Sequence, residues 1–384
     1  MAGRGARQCC SRAFQTGVSL VFLISVFLIL FVLSFDTYLL RGFHGSAVDA
    51  NATRGCVHPS EVTTREDDST RSRSPDRYLC GLCQPGWESD YVMELFKAPN
   101  CFQKCVKGAV AYVYRGKGPD SASSIAAAKQ DLSGYTPRIL LQLSDEACND
   151  RVSWGLYKEF HTVFRQYACR EQYRDLYANA HHVKAVPLGY MEGMFPLSST
   201  FDTALSAATE TLDNITRTRS NVWAFAGEVK SDRGEAISTF KDLQPHFFGK
   251  INKTAVPIVY RDSLFVIGGR GWVNLDCFRN YEASINGAIP VIVGSEKEIQ
   301  DTFGHFSTPP PWLFARSWKE ARESVAEMLQ NKEKARALQI RVVKWWIQEV
   351  SNIQDVVERR KNFWQRAWEI LTSFPSRFRL PVRC

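Results

Sequence analysis

The fold is decided by residues 263–293, which read SLFVIGGRGWVNLDCFRNYEASINGAIPVIV. An apolar run at 264–267 predicts a buried strand, and the glycines that follow let the backbone turn tightly and approach a ligand closely. Asp276 is a suitable N-cap for a helix that Gly287 would end in the left-handed conformation. A second apolar run at 288–293 predicts another buried strand. The order strand, glycine-rich loop, helix, strand predicts a βαβ unit with parallel strands.

Charged side chains in this unit indicate a phosphate-bearing ligand. A helix start offers free N–H groups and a partial positive charge, which favour a phosphate. Arg270 lies in the loop beside Gly271, and Arg279 lies in the first helical turn, so both guanidinium groups could bind the phosphates. Glu282 follows one turn later and could accept hydrogen bonds from the paired hydroxyls of a ribose. The alternative is an ordinary loop in which Arg279 and Glu282 form a simple i,i+3 salt bridge.

The same stretch also resembles a known family. The pair Arg270-Gly271, the segment FRNYEA at 278–283, and Gly287 followed by Pro290-Val291 are similar to the signature of the exostosin-like glycosyltransferases, glycosyltransferase family 47. The resemblance is greatest to the ribitol xylosyltransferase-like branch. It implies an α/β chain of the GT-B type, in which two Rossmann-like domains face a cleft and the second domain binds the nucleotide sugar. It also implies a transfer that inverts the configuration of the sugar.

An uncharged apolar stretch near the start of the chain predicts a membrane anchor. Residues 17–35 are long enough to span a bilayer, and arginines precede them. The positive-inside rule therefore places a tail, 1–16, in the cytosol and the body of the chain in the lumen. A cleaved signal peptide would need a shorter apolar core and a small-residue exit, which 34–37 does not supply. We expect a single-pass type II protein of the Golgi membrane, with 36–77 as a flexible stem.

Glycosylation triplets and cysteines agree with a lumenal body. Three Asn-x-Thr triplets predict N-glycosylation, at Asn51, Asn214 and Asn252. Nine of the eleven cysteines follow the anchor, where an oxidising compartment favours disulfides. The spacings Cys80-x-x-Cys83 and Cys101-x-x-x-Cys105 also fit zinc, but we favour disulfides because of the compartment. Nine is an odd number, so at least one thiol is free or pairs between chains.

The body of the chain is predicted to form two α/β domains. We expect an acceptor domain over 78–200, a nucleotide-sugar domain over 201–345, and C-terminal helices over 346–384 that pack back on the first domain. Apolar runs predict strands at 108–114, 138–143, 162–164, 183–190, 222–227 and 256–260.

Acidic residues follow one of these strands directly. Asp145 and Glu146 come after the strand at 138–143, and ligands in open α/β sheets bind at the carboxyl ends of the strands. Both are therefore candidate general bases, with the alternative that Ser144 or Asp145 only caps the next element.

Three further charged residues are candidate ligands of the substrates. Arg165 and Glu192 could contact the donor or the acceptor, although Arg165 could equally pair with a neighbouring acid. Arg233 is a second candidate for binding the diphosphate, and a surface charge is the alternative.

Together these features favour a glycosyltransferase that uses a nucleotide sugar and a glycan or glycoprotein acceptor. The chain has no Asp-x-Asp triplet, so we expect no required metal and no cofactor beyond the nucleotide sugar. Its net charge of +8 is spread along the chain, which does not indicate nucleic-acid binding. The alternative is a membrane-anchored glycan-binding or scaffold protein that retains the fold without turnover.

Overall fold

A computed structural model of the chain describes residues 55–56, 78–81, 88–105, 109–115, 121–132, 137–151, 153–195, 203–230 and 232–373. The predicted tail 1–16, the predicted anchor 17–35 and the triplet at Asn51 lie outside these residues. Within the described ranges, no helix combines the length and the hydropathy that crossing a membrane requires.

The first half of the described chain is built on a parallel sheet of seven strands. These are Gly55–Cys56 (β1), Tyr78–Gly81 (β2), Asn100–Phe102 (β3), Ala109–Arg115 (β4), Ile139–Leu143 (β5), Thr162–Arg165 (β6) and Val183–Ala185 (β7). Their order in the sheet is β1-β3-β2-β4-β5-β6-β7, and every neighbouring pair is parallel. All five residues of β5 are buried, as expected for a central parallel strand covered on both faces.

The second half is built on a parallel sheet of five strands. These are Asn221–Ala226 (β8), His246–Gly249 (β9), Ser263–Ile267 (β10), Ile289–Val293 (β11) and Leu313–Ala315 (β12), in the order β12-β11-β10-β8-β9. Again every neighbouring pair is parallel. The described chain therefore forms two parallel α/β sheets in succession, which agrees with the predicted fold class.

Helices cover and connect the strands. They are Ser89–Phe96 (α1), Ser121–Asp131 (α2), Trp154–Tyr157 (α3), Arg174–Asn179 (α4), Thr203–Asp213 (α5), Arg233–Phe240 (α6), Val256–Arg261 (α7), Phe278–Ile285 (α8), Glu296–Phe303 (α9), Trp318–Gln330 (α10) and Lys332–Ser373 (α11), with a 3-10 turn at Lys253–Ala255 before α7.

The βαβ unit predicted from the sequence is present as β10, α8 and β11. Phe265 pairs with Ile289 in the parallel register of the two strands. Gly287 has φ +70°, the left-handed conformation predicted for the residue after the helix. A Cβ atom there would lie 2.6 Å from a methyl carbon of Thr211, so close packing also requires glycine. The N-cap prediction was wrong, because Cys277 and not Asp276 caps α8.

One other local prediction was also wrong. Residues 256–260 form helix α7 and not a strand: a short apolar run fits either state, and Pro257 occupies one of the first helical positions, where proline is favoured. The strand on that side of the sheet is β9 at His246–Gly249. Within the predicted stem, Gly55–Cys56 pairs with β3 as an edge strand, and the stem itself stays a prediction.

The long helix α11 connects the two halves. It begins beside the second sheet and continues without interruption to Ser373. The buried ring of Trp346 lies 5.9 Å from that of Tyr91 in α1, and the side-chain amide of Gln354 donates to the carbonyl of Glu94, 3.3 Å away. The described part of α11 from Trp346 onward therefore contacts the first half of the chain as one helix.

Disulfides occupy the cysteine-rich region. Cys80 is bonded to Cys105 and Cys148 to Cys169, and Cys101 is also disulfide-bonded. The preference for disulfides over zinc at Cys80 and Cys105 is therefore confirmed. Within the described part of the chain, Cys277 is the free cysteine, and its thiol is buried.

Candidate functional site

A cavity of about 610 Å³ lies where the carboxyl ends of strands from the two sheets approach each other. From the first half it is lined by Glu88, Arg115, Ser144, Glu146, Gln166, Tyr167, Met191 and Met194. From the second half it is lined by the end of β8 with the residues that follow it, by Arg233 at the start of α6, by residues between 250 and 256 after β9, by the loop after β10 and by α8. This is the position at which open α/β sheets bind ligands.

Arg279 is one of two guanidinium groups that the second half of the chain places in the cavity wall. Its Nε donates to the carbonyl oxygen of Gly268, 2.7 Å away, and its Nη2 donates to that of Arg270, 3.2 Å away. The guanidinium carbon lies 5.3 Å from the ring centre of Phe225, a cation–π distance. Its Nη1 lies beside Gly227, 3.4 Å from the position a Cβ atom would take there. Among the described residues, no carboxylate forms a salt bridge with this side chain.

Arg233, the first residue of α6, is the second guanidinium. Its Nη2 donates to the same carbonyl of Arg270, 2.6 Å away, and its Nη1 donates to the carbonyl of Glu228, 2.9 Å away. Burial, followed by the nearby charge of Arg279, lowers the pKa of Arg233. Two cations therefore meet at one loop carbonyl, and the described part of the chain supplies no salt-bridging acid for either. Such a pair suits an anionic ligand.

Glu282 lies one helical turn beyond Arg279 and is only 3% exposed. Its Oε1 accepts a hydrogen bond from the backbone N–H of Met191, 3.3 Å away, which joins α8 to the first half of the chain. Burial raises the pKa of Glu282 to about 7, against the opposing influence of Arg279. The structure thus brings Arg233, Arg279 and Glu282 to one cavity, and donor binding by these residues stays a prediction.

Glu146 crosses the cavity from the first half to the second. Its Oε1 accepts hydrogen bonds from three consecutive backbone N–H groups, those of Trp272, Val273 at 2.8 Å and Asn274 at 3.3 Å. A Cβ atom on Gly271 would lie 2.3 Å from the same oxygen, so this glycine allows the carboxylate to approach. Among the described residues, none donates a hydrogen bond to Oε2 of Glu146.

Asp276 is a cavity residue that the sequence presented only as a helix cap. It is 3% exposed, and its Oδ2 accepts a hydrogen bond from the hydroxyl of Tyr281, 2.9 Å away. Its Oδ1 is buried without a hydrogen-bond partner. Burial raises the pKa of Asp276 to about 8, with a smaller contribution in the same direction from Glu146. A group of this kind holds a proton at neutral pH beside the cavity.

The first-half wall contains residues that sequence reasoning missed. Glu88 forms a salt bridge of 2.5 Å with Arg115, whose Nη1 donates to the hydroxyl of Ser144, 3.1 Å away. The side-chain oxygen of Gln166 accepts a hydrogen bond from the N–H of Ser144, 3.0 Å away. Gln166 and Tyr167 follow β6 directly, so the strand-end signal used for Asp145 and Glu146 could have found them.

Backbone strain is concentrated at the same place. Ser144, Asp145 and Tyr167 have φ values of +68°, +74° and +49°, a conformation that non-glycine residues rarely adopt. Strained residues of this kind persist only where surrounding contacts fix them, and they cluster at functional sites.

Asp145 and Arg165 are not brought to the cavity. They form a buried ion pair, and Arg165 is fully buried. Oδ1 of Asp145 accepts from the N–H groups of Asn149 and Asp150, at 2.9 and 3.0 Å. These contacts match the alternatives stated in the sequence analysis, in which Asp145 caps the next element and Arg165 pairs with a neighbouring acid. The structure therefore corrects both candidate roles, because neither side chain reaches the cavity.

Arg270 and Glu192 are also absent from the cavity wall. The guanidinium of Arg270 forms a 2.7 Å salt bridge with Glu298, an acid that also completes the capping box of α9. Only the backbone carbonyl of Arg270 serves the site, as the acceptor for Arg233 and Arg279. The diphosphate role predicted for its side chain is corrected accordingly.

The predicted glycosylation sites at Asn214 and Asn252 are both exposed, and glycosylation there stays a prediction. Within the described ranges, no cluster of three or more His, Cys, Asp or Glu residues is arranged to hold a metal ion.

Comparison with known proteins gives structural neighbours only. No family model matches the chain, and no curated protein matches it in sequence. The fold is similar to Anabaena Alr3699/HepE, solved in complex with UDP and glucose, with a TM-score of 0.44 and 11% identity, covering 75% of this chain and 99% of that one. For sucrose-phosphate synthase from Thermosynechococcus elongatus the TM-score is 0.39, with 10% identity and coverage of 77% and 100%. For T4 phage BGT in complex with UDP-glucose it is 0.35, with 10% identity and coverage of 74% and 98%. These TM-scores are too low to carry a functional argument.

Proposed function

We propose that this chain is a glycosyltransferase that moves a sugar from a nucleotide-sugar donor to a glycan acceptor in the cavity between the two sheets. One observation carries the proposal. Arg233 and Arg279 lie side by side in the cavity wall, share the carbonyl of Arg270, and have no salt-bridging acid among the described residues. Two such guanidinium groups are what a departing diphosphate requires.

In this proposal the donor lies along α8. The diphosphate binds to Arg233 and Arg279, and the ribose hydroxyls donate hydrogen bonds to Glu282. The order of these groups supports the arrangement, because Glu282 lies one turn beyond Arg279 on the same helix and lines the same cavity. The cavity has the size of an ordinary small-molecule site.

Glu146 is the proposed general base. The acceptor hydroxyl gives its proton to Oε2 of Glu146 while its oxygen forms a bond to the anomeric carbon. The bond from that carbon to the phosphate oxygen breaks, and its electron pair leaves with the diphosphate. The other acids of the wall that are not assigned to the donor are less suitable: Glu88 is paired with Arg115, Glu228 is paired with Lys230 and Lys250, and the raised pKa of Asp276 keeps it protonated at neutral pH. One base is sufficient for a single inverting displacement.

The family and the membrane topology are proposed from the sequence. The signature at 270–291 supports assignment to the exostosin-like family, and the apolar stretch 17–35 supports a type II anchor in the Golgi membrane. Because the two guanidinium groups can neutralise the diphosphate, we propose that transfer needs no metal. A chelator should therefore leave the rate of transfer unchanged.

The test is a screen of UDP- and GDP-sugars with the full-length protein, in which released free sugar and transferred product are measured. We expect one donor class to be consumed, and we expect Arg279→Ala to reduce that rate by about 10-fold to 100-fold, because a charge-assisted hydrogen bond contributes about 1.5–3 kcal/mol.

Arg322→Ala is the matched control. This arginine pairs with Asp242 at the surface and does not line the cavity, so its removal should not change the rate. A wild-type rate in Arg279→Ala would show that the diphosphate site is misassigned. Failure of every nucleotide sugar to bind would favour the non-catalytic scaffold.

A further inference from the structure

The largest exposed apolar side chain in the described structure lies on the rim of the cavity. Trp272 is 77% exposed and lines the cavity mouth. Its neighbour Val273 is 61% exposed, and Val229, beside the opposite strand end, is 50% exposed. Tryptophan is rarely left in solvent to this extent in the absence of a ligand, because burying its ring is among the most favourable contacts a fold can make.

The backbone that carries this ring is held in place, although the ring itself is exposed. The backbone N–H of Trp272 donates to the carboxylate of Glu146, and the N–H of Val273 does the same at 2.8 Å. The ammonium nitrogen of Lys230 lies 5.2 Å from the ring centre. The segment is thus fixed through its backbone while the ring remains available, which is a preorganised binding surface.

The position of the ring relative to the proposed base indicates what it binds. A general base must lie within hydrogen-bond reach of the acceptor hydroxyl. The N–H of Trp272 is itself bonded to the proposed base, and both residues line the cavity, so an acceptor bound at Glu146 lies near the ring. The ribose end of the donor is proposed at Glu282, which the N–H of Met191 contacts from the first half of the chain.

We propose that Trp272 is the acceptor platform, on which the apolar face of a pyranose ring of the acceptor glycan stacks beside Glu146. This inference rests on the proposed function, because it takes Glu146 as the base. The C–H groups on one face of a pyranose suit an aromatic surface, and Lys230 can donate to hydroxyl groups at the ring edge. Trp272 thereby selects a sugar over a flexible apolar alcohol.

The experiment measures binding of methyl β-D-glucopyranoside, methyl β-D-galactopyranoside and methyl β-D-xylopyranoside to the full-length protein by saturation-transfer NMR, with UDP and GDP titrated separately. We expect at least one glycoside to bind, and we expect Trp272→Ala to weaken it about ten-fold, a factor equal to about 1.4 kcal/mol. Trp272→Phe should retain part of the affinity. Nucleotide affinity should be the same in all three proteins.

Ile258→Ala is the control, since Ile258 is 63% exposed in α7 and does not line the cavity; it should bind like the wild type. Absence of glycoside binding by the wild type, or equal binding by Trp272→Ala, would overturn the platform. Weaker nucleotide binding in Trp272→Ala would also overturn it, by indicating a nucleobase on the ring. If glycosides bind through Trp272 but no nucleotide binds, the platform stands and the proposed donor site fails.

Discussion

The contact between Glu146 and the loop after β10 leads to a sharp prediction for Gly271→Ala. The added Cβ would lie 2.3 Å from Oε1 of Glu146 and 2.9 Å from the carbonyl oxygen of Asp276. A Cβ atom cannot lie this close to another heavy atom, so the carboxylate of Glu146 or the backbone must move. The carboxylate is the more mobile group, and its movement would break the three hydrogen bonds that it accepts from 272–274.

The size of the effect can be estimated from those contacts. Overpacking of this kind costs roughly 1–3 kcal/mol, and the freed N–H groups lie near solvent, where water replaces part of the lost interaction. For a chain of this size such a loss corresponds to a decrease in melting temperature of roughly 1–4 °C. Transfer activity should fall as well, because the proposed base no longer has a fixed position.

Thermal unfolding of the single and double variants tests this explanation. Glu146→Ala removes the nearer of the two clashing atoms, so Gly271→Ala should destabilise the Glu146→Ala protein less than it destabilises the wild type. Gly155→Ala is the control, because nothing lies within 4 Å of a Cβ atom there. If Gly271→Ala melts with the wild type, or if the two substitutions are fully additive, the proposed contact does not fix the loop.

Three more predictions concern single groups. Because the pKa of Glu282 is about 7 and its ionised form accepts the ribose hydroxyls, calorimetry should show nucleotide affinity rising from about pH 6 to about pH 8 in the wild type, but a flat profile in Glu282→Gln. The folded pKa of Asp276 is about 8, above its ordinary value. The stability that this group contributes is therefore fully present below about pH 4 and is lost as pH rises through about 8. Chemical unfolding of Asp276→Asn should lack that loss, and stability-versus-pH curves that run parallel for the variant and the wild type would contradict the prediction. Replacing both Cys148 and Cys169 with serine opens a loop with a sequence separation of 21, which should lower the unfolding free energy in urea by about 3 kcal/mol, whereas an unchanged midpoint would argue against a stabilising bond.

Local sequence patterns were sufficient for the central βαβ unit. The apolar runs of β10 and β11 are long enough to indicate buried strands, and Gly287 has the positive φ expected of the residue that ends a helix. Such features depend on residues that are close in the chain, so periodicity and turn chemistry predict them.

The partners of the charged residues could not be predicted in the same way. Glu146 and its loop donors are separated by 126 to 128 residues, so only the folded chain brings them together. Arg270 fits a phosphate ligand by position, yet it pairs with Glu298, 28 residues away. Arg165 was a candidate substrate contact, but it lies in β6 with its side chain buried against Asp145.

Ambiguity between helix and strand explains why a strand was predicted where helix α7 lies. The run at 256–260 is short and apolar, which fits a buried strand or one face of a helix equally well. In the structure the 3-10 turn Lys253–Ala255, in which the side chain of Asn252 accepts a hydrogen bond from the N–H of Thr254, 3.2 Å away, leads directly into α7.

The diphosphate site proposed at Arg233 and Arg279 is best examined in a crystal structure of the protein with a nucleoside diphosphate. We predict that phosphate oxygens lie within hydrogen-bond distance of both guanidinium groups and that a ribose hydroxyl contacts Glu282. Nucleotide density elsewhere on the surface, with both arginines bonded only to the loop carbonyls, would contradict the proposed donor site.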